Sequence, residues 1–198
     1  MSPLLFYLHG FLSSPLSRKA GLTATFLREQ GSAVELQTPA LPEEPARALA
    51  AAEAALQPAL AAGRPVGLIG SSMGGFYATV LAERHGLRAV LVNPSVLPHR
   101  RIAALFGEQV NPYSGRRFVL HQGHADELRA MVPAAIDPAR YWLLVQTGDE
   151  VLDYREAVAY YAGARQTVEE GGDHLFQGFE RHLPAIVKFL QCGGPAAC

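Results

Sequence analysis

Residues 65–85 read Pro65-Val66-Gly67-Leu68-Ile69-Gly70-Ser71-Ser72-Met73-Gly74-Gly75-Phe76-Tyr77-Ala78-Thr79-Val80-Leu81-Ala82-Glu83-Arg84-His85. Pro65–Gly70 is an apolar run of strand length, and Phe76–His85 has helical composition and spacing. A short Ser- and Gly-rich turn joins them. A strand that passes directly into a helix is the repeating unit of a parallel sheet, because parallel neighbours require a crossover. The turn also carries Gly70-Ser71-Ser72-Met73-Gly74, a G-x-S-x-G pattern with Ser72 at its centre. A turn this sharp lifts the central serine oxygen out of the sheet, and flanking glycines spare it collisions with crossing backbone. Ser71 lacks that placement. A helix-capping serine is the plainer alternative for Ser72; the strand–turn–helix setting favours a nucleophile.

Outward from this unit the hydrophobic period keeps switching between strand and helix. Upstream come a strand over Pro3–Leu8, a helix over Ser17–Gln30, a strand over Ala33–Gln37 and an Ala-rich helix over Glu44–Ala62 that Pro58 is expected to kink or divide. Downstream lie strands over Leu87–Val92 and Tyr141–Gln146, a helix over Tyr154–Ala162, a weak strand over Arg165–Val168 and an amphipathic helix over Phe176–Leu190. Strands that are apolar throughout belong in a parallel sheet covered on both faces. The spacing therefore predicts an α/β fold: one domain over residues 1–191, a mostly parallel sheet of about six strands with helices on both faces, and a flexible tail over 192–198. The interval 97–140 breaks the alternation with helical pieces and the turn-rich Asn111-Pro112-Tyr113-Ser114-Gly115, and is expected to act as a small lid.

Composition limits the function classes. The chain has 198 residues, 49% of them hydrophobic, and 17 Lys+Arg against 18 Asp+Glu give a net charge of −1, so disorder is excluded and no nucleic-acid partner is expected. No apolar run is long enough for a membrane span. Met1-Ser2-Pro3 supplies no basic start for an export signal, which predicts a cytoplasmic protein. Cys192 and Cys198 are then expected to be free thiols.

In a parallel sheet, ligands bind outside the carboxyl ends of the strands. Four of the expected strand ends carry pointed chemistry: His9-Gly10-Phe11, Gly70–Gly74, Asp149, and the loop holding His174. A serine hydroxyl is nearly inert until a base takes its proton. Of seven histidines, His174 lies between the last strand and last helix, where the order serine, acid, histidine places the base. His85 and His182 fit solvated or capping roles, His99, His121 and His124 lie in the 97–140 interval, and at His9 the following backbone is the more useful element. Of five aspartates, Asp149 directly follows a strand on the edge that carries Ser72. Asp153 is the reserve and better suited to capping, and Asp173 is too close to His174 to turn back onto it. The N–H groups of Met73 and Phe11 are the candidate oxyanion donors.

Together these residues resemble the α/β-hydrolases, and within them the YqiA-type small bacterial esterases. The matching stretches are Leu8-His9-Gly10-Phe11 with Ser13-Ser14-Pro15, Gly70–Gly75, Val92-Asn93-Pro94, Asn111-Pro112-Tyr113, Gln146–Tyr154 and Gly171-Gly172-Asp173-His174. The resemblance runs in order from residue 4 to about 190. It implies cofactor-free ester hydrolysis, with Ser72, Asp149 and His174 as the triad; no metal is expected either, since the sequence has no H-x-x-x-H or C-x-x-C ligand spacing. One departure from larger α/β-hydrolases is expected: the sequence opens directly on the strand leading to His9-Gly10, without their leading antiparallel hairpin, which predicts a sheet of about six strands.

An acyl-CoA thioesterase with the same triad is the nearest alternative, and a catalytically dead hydrolase used for binding is a third class that the intact triad disfavours. A dinucleotide-binding oxidoreductase is disfavoured because the first strand lacks G-x-G-x-x-G, and no P-loop Gly-Lys-Ser/Thr occurs. The expected ligand is a small acyl ester or thioester. Leu105, Phe106, Tyr113 and Met131 are candidates to line its acyl site, or simply to pack the lid.

Overall fold

The computed structural model describes residues 1–191; Cys192, Cys198 and the tail expected over 192–198 lie outside the described residues. The chain runs β1 (Leu4–Leu8), α1 (Arg18–Glu29), β2 (Glu35–Gln37), α2 (Pro45–Ala61), β3 (Val66–Ser71), α3 (Met73–His85) and β4 (Arg88–Val92). It continues with β5 (Gly107–Val110), β6 (Arg117–Leu120), α4 (Gln122–Met131), β7 (Tyr141–Gln146), α5 (Tyr154–Tyr160), β8 (Arg165–Glu169) and α6 (Leu183–Gln191). Six strands form one sheet in the order β2-β1-β3-β4-β7-β8, and every neighbouring pair is parallel.

Alternate residues of each central strand feed opposite faces, which is why the strands read as unbroken apolar runs. Leu4, Phe6 and Leu8 of β1 pack with Leu49 and Leu56 of α2 and with Phe76 and Val80 of α3. Leu5 and Tyr7 face the other layer, with Leu27 of α1 and Ile186 and Leu190 of α6. Burying each such Leu, Ile or Phe contributes roughly 1.5–3 kcal/mol. The sheet order reverses beside β1: the chain leaves β1 for β2 on one side, then returns to β3 on the other. The loops after β1 and β3 therefore diverge and open a crevice at the carboxyl edge, the usual ligand position in such sheets. No helix among the described residues is long and apolar enough to cross a membrane.

Four local features differ from the sequence reading. Helix α3 starts at Met73 rather than Phe76, so Ser72 is the residue immediately before it. Helix α2 is not divided at Pro58; it runs to Ala61, and the Ala62 N–H still reaches the Pro58 carbonyl at 3.1 Å. Proline this near a helix end disturbs little beyond it. The 97–140 interval contains an antiparallel hairpin, β5–β6, besides its short helical turns and α4. Its strands have four residues each, too few for a clear alternation, although Phe118 and Leu120 do point inward. Finally, Phe176–Leu190 is not one helix: Phe176 and Gly178 have positive φ, and a 3-10 turn over Phe179–His182 precedes α6.

Candidate active site

Ser72 sits between β3 and α3 with φ 56° and ψ −124°. A non-glycine residue there carries strain of about 1–3 kcal/mol and persists only when its surroundings fix it. Here the Ser72 N–H donates to the Val92 carbonyl at 3.1 Å, and its own carbonyl accepts from Gly75 and Ser95 at 2.9 and 3.0 Å. The glycines of the motif are required by contact. A Cβ on Gly74 would strike the Leu8 carbonyl oxygen and lie 2.6 Å from that of His9, while one on Gly70 would lie 2.7 Å from the Gly75 Cα. Gly74→Ala is therefore expected to force α3 away from the end of β1. The cost is about 3 kcal/mol, which lowers Tm by roughly 6–12 °C for a chain of this size. A thermal melt within 2 °C or so of wild type would contradict this packing.

His174 and Asp149 complete a hydrogen-bonded chain with this serine. His174 Nε2 is 3.0 Å from Ser72 Oγ, and Nδ1 is 2.9 and 3.0 Å from the two Asp149 carboxylate oxygens. The Asp149 side chain is only 2% exposed, and its Oδ1 also accepts the N–H groups of Val151 and Leu152 at 2.9 and 2.8 Å. Burial pushes its carboxyl up, but the hydrogen bonds from His174, Leu152 and Val151 more than offset that and hold it below the ordinary carboxylate range. An ionised carboxylate can only accept, so Nδ1 carries the imidazole proton and Nε2 turns its lone pair to Ser72.

The loop bearing His174 is anchored by side chains to which the sequence reading gave no role. Asn93, buried at the end of β4 with φ 40°, donates from Nδ2 to the carbonyls of Asp173 and His174 at 3.0 and 3.2 Å. Its Oδ1 accepts the Gln146 N–H at 3.0 Å. Gln146 is also buried; its Oε1 accepts from Gln177 and Asp173, and its Nε2 donates to Glu169 and the Gln177 carbonyl. Glu150 accepts the His174 N–H at 3.0 Å. The one signal in the sequence is Asn-Pro at a strand end, since Asn is the commonest non-glycine residue at positive φ.

The two candidate oxyanion donors come from segments that adjoin Ser72. Met73 is the first residue of α3, and Phe11 lies in the loop after β1, which presses on the serine: a Cβ on Gly10 would be 3.2 Å from Ser72 Cβ. Neither N–H donates to a group among the described residues, as expected for Met73 at a helix start. The Phe11 ring packs edge-on against Phe118 of β6 at 5.9 Å, fixing the loop against the hairpin. His9 stiffens the same loop: Nδ1 donates to the Gly10 carbonyl at 3.0 Å and Nε2 accepts the Leu41 N–H at 3.3 Å.

The remaining candidates are elsewhere. Asp153 caps α5 through the Arg155 N–H, and its carboxyl is held at about 2 by the Arg155 side chain and backbone. His85 pairs with Glu53, His182 pairs with Glu169, and His121 and His124 form the capping box of α4. Among the described residues, no three His, Cys, Asp or Glu side chains converge as a metal site.

Two cavities open on Ser72 and His174. One, of about 500 Å³, is walled by Phe11, Ile102, Leu105, Val151 and Leu152. The other, of about 370 Å³, includes Ser17, Arg18, Lys19, Tyr113 and Leu175. Of the four residues proposed for an acyl wall, Leu105 lines the apolar cavity and Tyr113 the second. Phe106 lines neither, and Met131 packs against the core.

Residues 4–191 match the uncharacterised protein family UPF0227. Solved structures share the fold at low identity. A presumed hydrolase from Agrobacterium vitis S4 superposes with a TM-score of 0.73 at 21% identity, covering 96% of this chain and 88% of the other. Est1E from Butyrivibrio proteoclasticus gives 0.66 at 17% identity, covering 96% and 86%. The mouse α/β hydrolase domain-containing protein 10 gives 0.64 at 16% identity, covering 96% and 90%.

Proposed function

We propose, from the premise that the chain belongs to the UPF0227 family and has the α/β-hydrolase fold, that it is a serine carboxylesterase acting through Ser72, His174 and Asp149. The observation that carries this is the unbroken chain Ser72 Oγ–His174–Asp149, set at the sheet's reversal point with the serine in a strained turn.

In this reading, Ser72 Oγ attacks the ester carbonyl carbon as His174 Nε2 takes its proton. Asp149 stabilises the resulting imidazolium through Nδ1–H. The carbonyl oxygen becomes an oxyanion that accepts from the N–H groups of Phe11 and Met73, donors already free and fixed. Collapse breaks the ester C–O bond, and the imidazolium gives its proton to the departing alkoxide, which leaves as the alcohol. Water then repeats the sequence on the acyl-enzyme: His174 takes its proton, the acid departs, and Ser72 regains its hydrogen. Ester and water become acid and alcohol with no electron or group left over, so the cycle calls for no cofactor.

The apolar cavity suits the acyl chain, with Ile102 and Leu105 of the 97–140 segment forming one wall as the covering part of a single domain. The test is covalent labelling by a fluorophosphonate in the presence of EDTA, located by peptide mass spectrometry. The label is expected on Ser72, in parallel with turnover of short p-nitrophenyl esters. A label elsewhere, or turnover that EDTA abolishes and zinc restores, would refute this mechanism.

A further inference from the structure

The cavity on the other side of Ser72 has a different chemistry. The chain has two lysines, and one of them, Lys19, lies in this wall together with Arg18. The Lys19 Nζ makes a single protein hydrogen bond, to the Leu175 carbonyl at 2.9 Å, leaving two of its three donors unused. Neither Lys19 nor Arg18 belongs to an ion pair among the described residues. By contrast, Arg101, the cation lining the apolar cavity, is neutralised by Glu156 at 3.0 Å. Ser17, at the start of α1, lines the same space, and the first turn of that helix has no acidic residue. A helix start and two cations outside any ion pair among the described residues thus converge on one space that shares Ser72 and His174 with the apolar cavity.

We propose that the ester this site takes carries a carboxylate, which Lys19 and Arg18 bind while the apolar part of the molecule occupies the other cavity. This deepens the serine-esterase reading and rests on it. A partly desolvated ammonium with one hydrogen bond and no ion pair is costly, and burial lowers the Lys19 ammonium to about 8 although Asp173 and Asp149 oppose the loss of charge and Arg18 favours it. An arriving anion relieves that cost.

The test separates this proposal from the esterase reading by measuring binding without turnover. Ser72→Ala protein is titrated calorimetrically with (butyryloxy)acetate and with monoethyl succinate, and with the neutral methyl ester of each. The first acid places its carboxylate on the alcohol side, the second on the acyl side. At least one carboxylate form is expected to bind about tenfold tighter than its methyl ester, the scale of one hydrogen bond to a charged group. Adding Lys19→Met is expected to bring that ratio close to one, and adding Arg18→Gln, at an exposed position, to reduce it. Equal affinity of acid and methyl ester, no binding of either acid, or a preference that survives both substitutions would overturn the carboxylate site. Turnover of the same four esters by the wild-type protein tests the other reading: if none is cleaved, the esterase mechanism fails while the binding ratio still decides whether the anion site exists.

Discussion

Ser72→Ala is expected to lower kcat/KM on p-nitrophenyl esters by about 10⁵–10⁶, the scale on which losing a serine nucleophile acts. No neighbour can take over. Ser71 is buried at the end of β3, one residue from the turn, and its backbone is paired into the sheet with Val92. The fold has little reason to change. The Ser72 side chain caps nothing on α3, and the strained backbone is held by three main-chain hydrogen bonds that alanine retains. Tm should therefore stay within a few degrees of wild type while turnover and fluorophosphonate labelling both vanish. Ser71→Ala should lose far less activity. Equal losses from the two variants, or turnover retained by Ser72→Ala, would remove Ser72 from the nucleophile position.

Asp149→Asn is expected to cost about 10⁴ in kcat, because an amide can donate to Nδ1 and so stabilise the wrong imidazole tautomer, with the proton on the nitrogen that should face Ser72. It also cannot stabilise an imidazolium. Asp153→Asn should leave kcat near wild type, since Asp153 faces Arg155 and the start of α5 rather than His174. If Asp153→Asn proved the inactive variant and Asp149→Asn the active one, the assignment would be reversed. Stability adds a second readout with a definite sign. The folded Asp149 carboxyl lies below its ordinary value, so its contribution is full above the unfolded value of about 3.9 and fades as the pH falls through the lower folded value. The stability gap between wild type and Asp149→Asn should thus narrow in acid, below about pH 4. A gap that widened in acid would mean that Asp149 is not held as the carboxylate.

The parallel sheet was legible in sequence because each central strand is buried on both faces, which leaves uninterrupted runs such as Leu4–Leu8 and Tyr141–Gln146. The residues of the Ser72 chain were legible for a related reason: strand ends are visible, and the carboxyl ends of parallel strands face one crevice. What escaped was decided by contacts between distant segments. The β5–β6 hairpin has strands of four residues with only Phe118 and Leu120 fully turned inward, too short for periodicity to reveal. The break before α6 depends on positive φ at Phe176 and Gly178, and an aromatic residue gives no hint of that conformation. Asn93 and Gln146 read as polar residues closing two strands. Their task of holding the His174 loop appears only when segments 80 and 31 positions away are brought beside them. Lys19 is similar: its partner is the carbonyl of Leu175, 156 residues downstream.

The bond between His174 and Ser72 joins residues 102 positions apart, and the loops of β1, β3, β4 and β7 must all be in place around it. Such long loops are closed late, after the entropy of bringing distant segments together has been overcome. A chain that has formed only α2, α3 and the β3–β4 pair therefore contains the Ser72 turn without its contact to His174. Recovery of the proposed esterase activity after dilution from denaturant is accordingly expected to lag the return of helical signal.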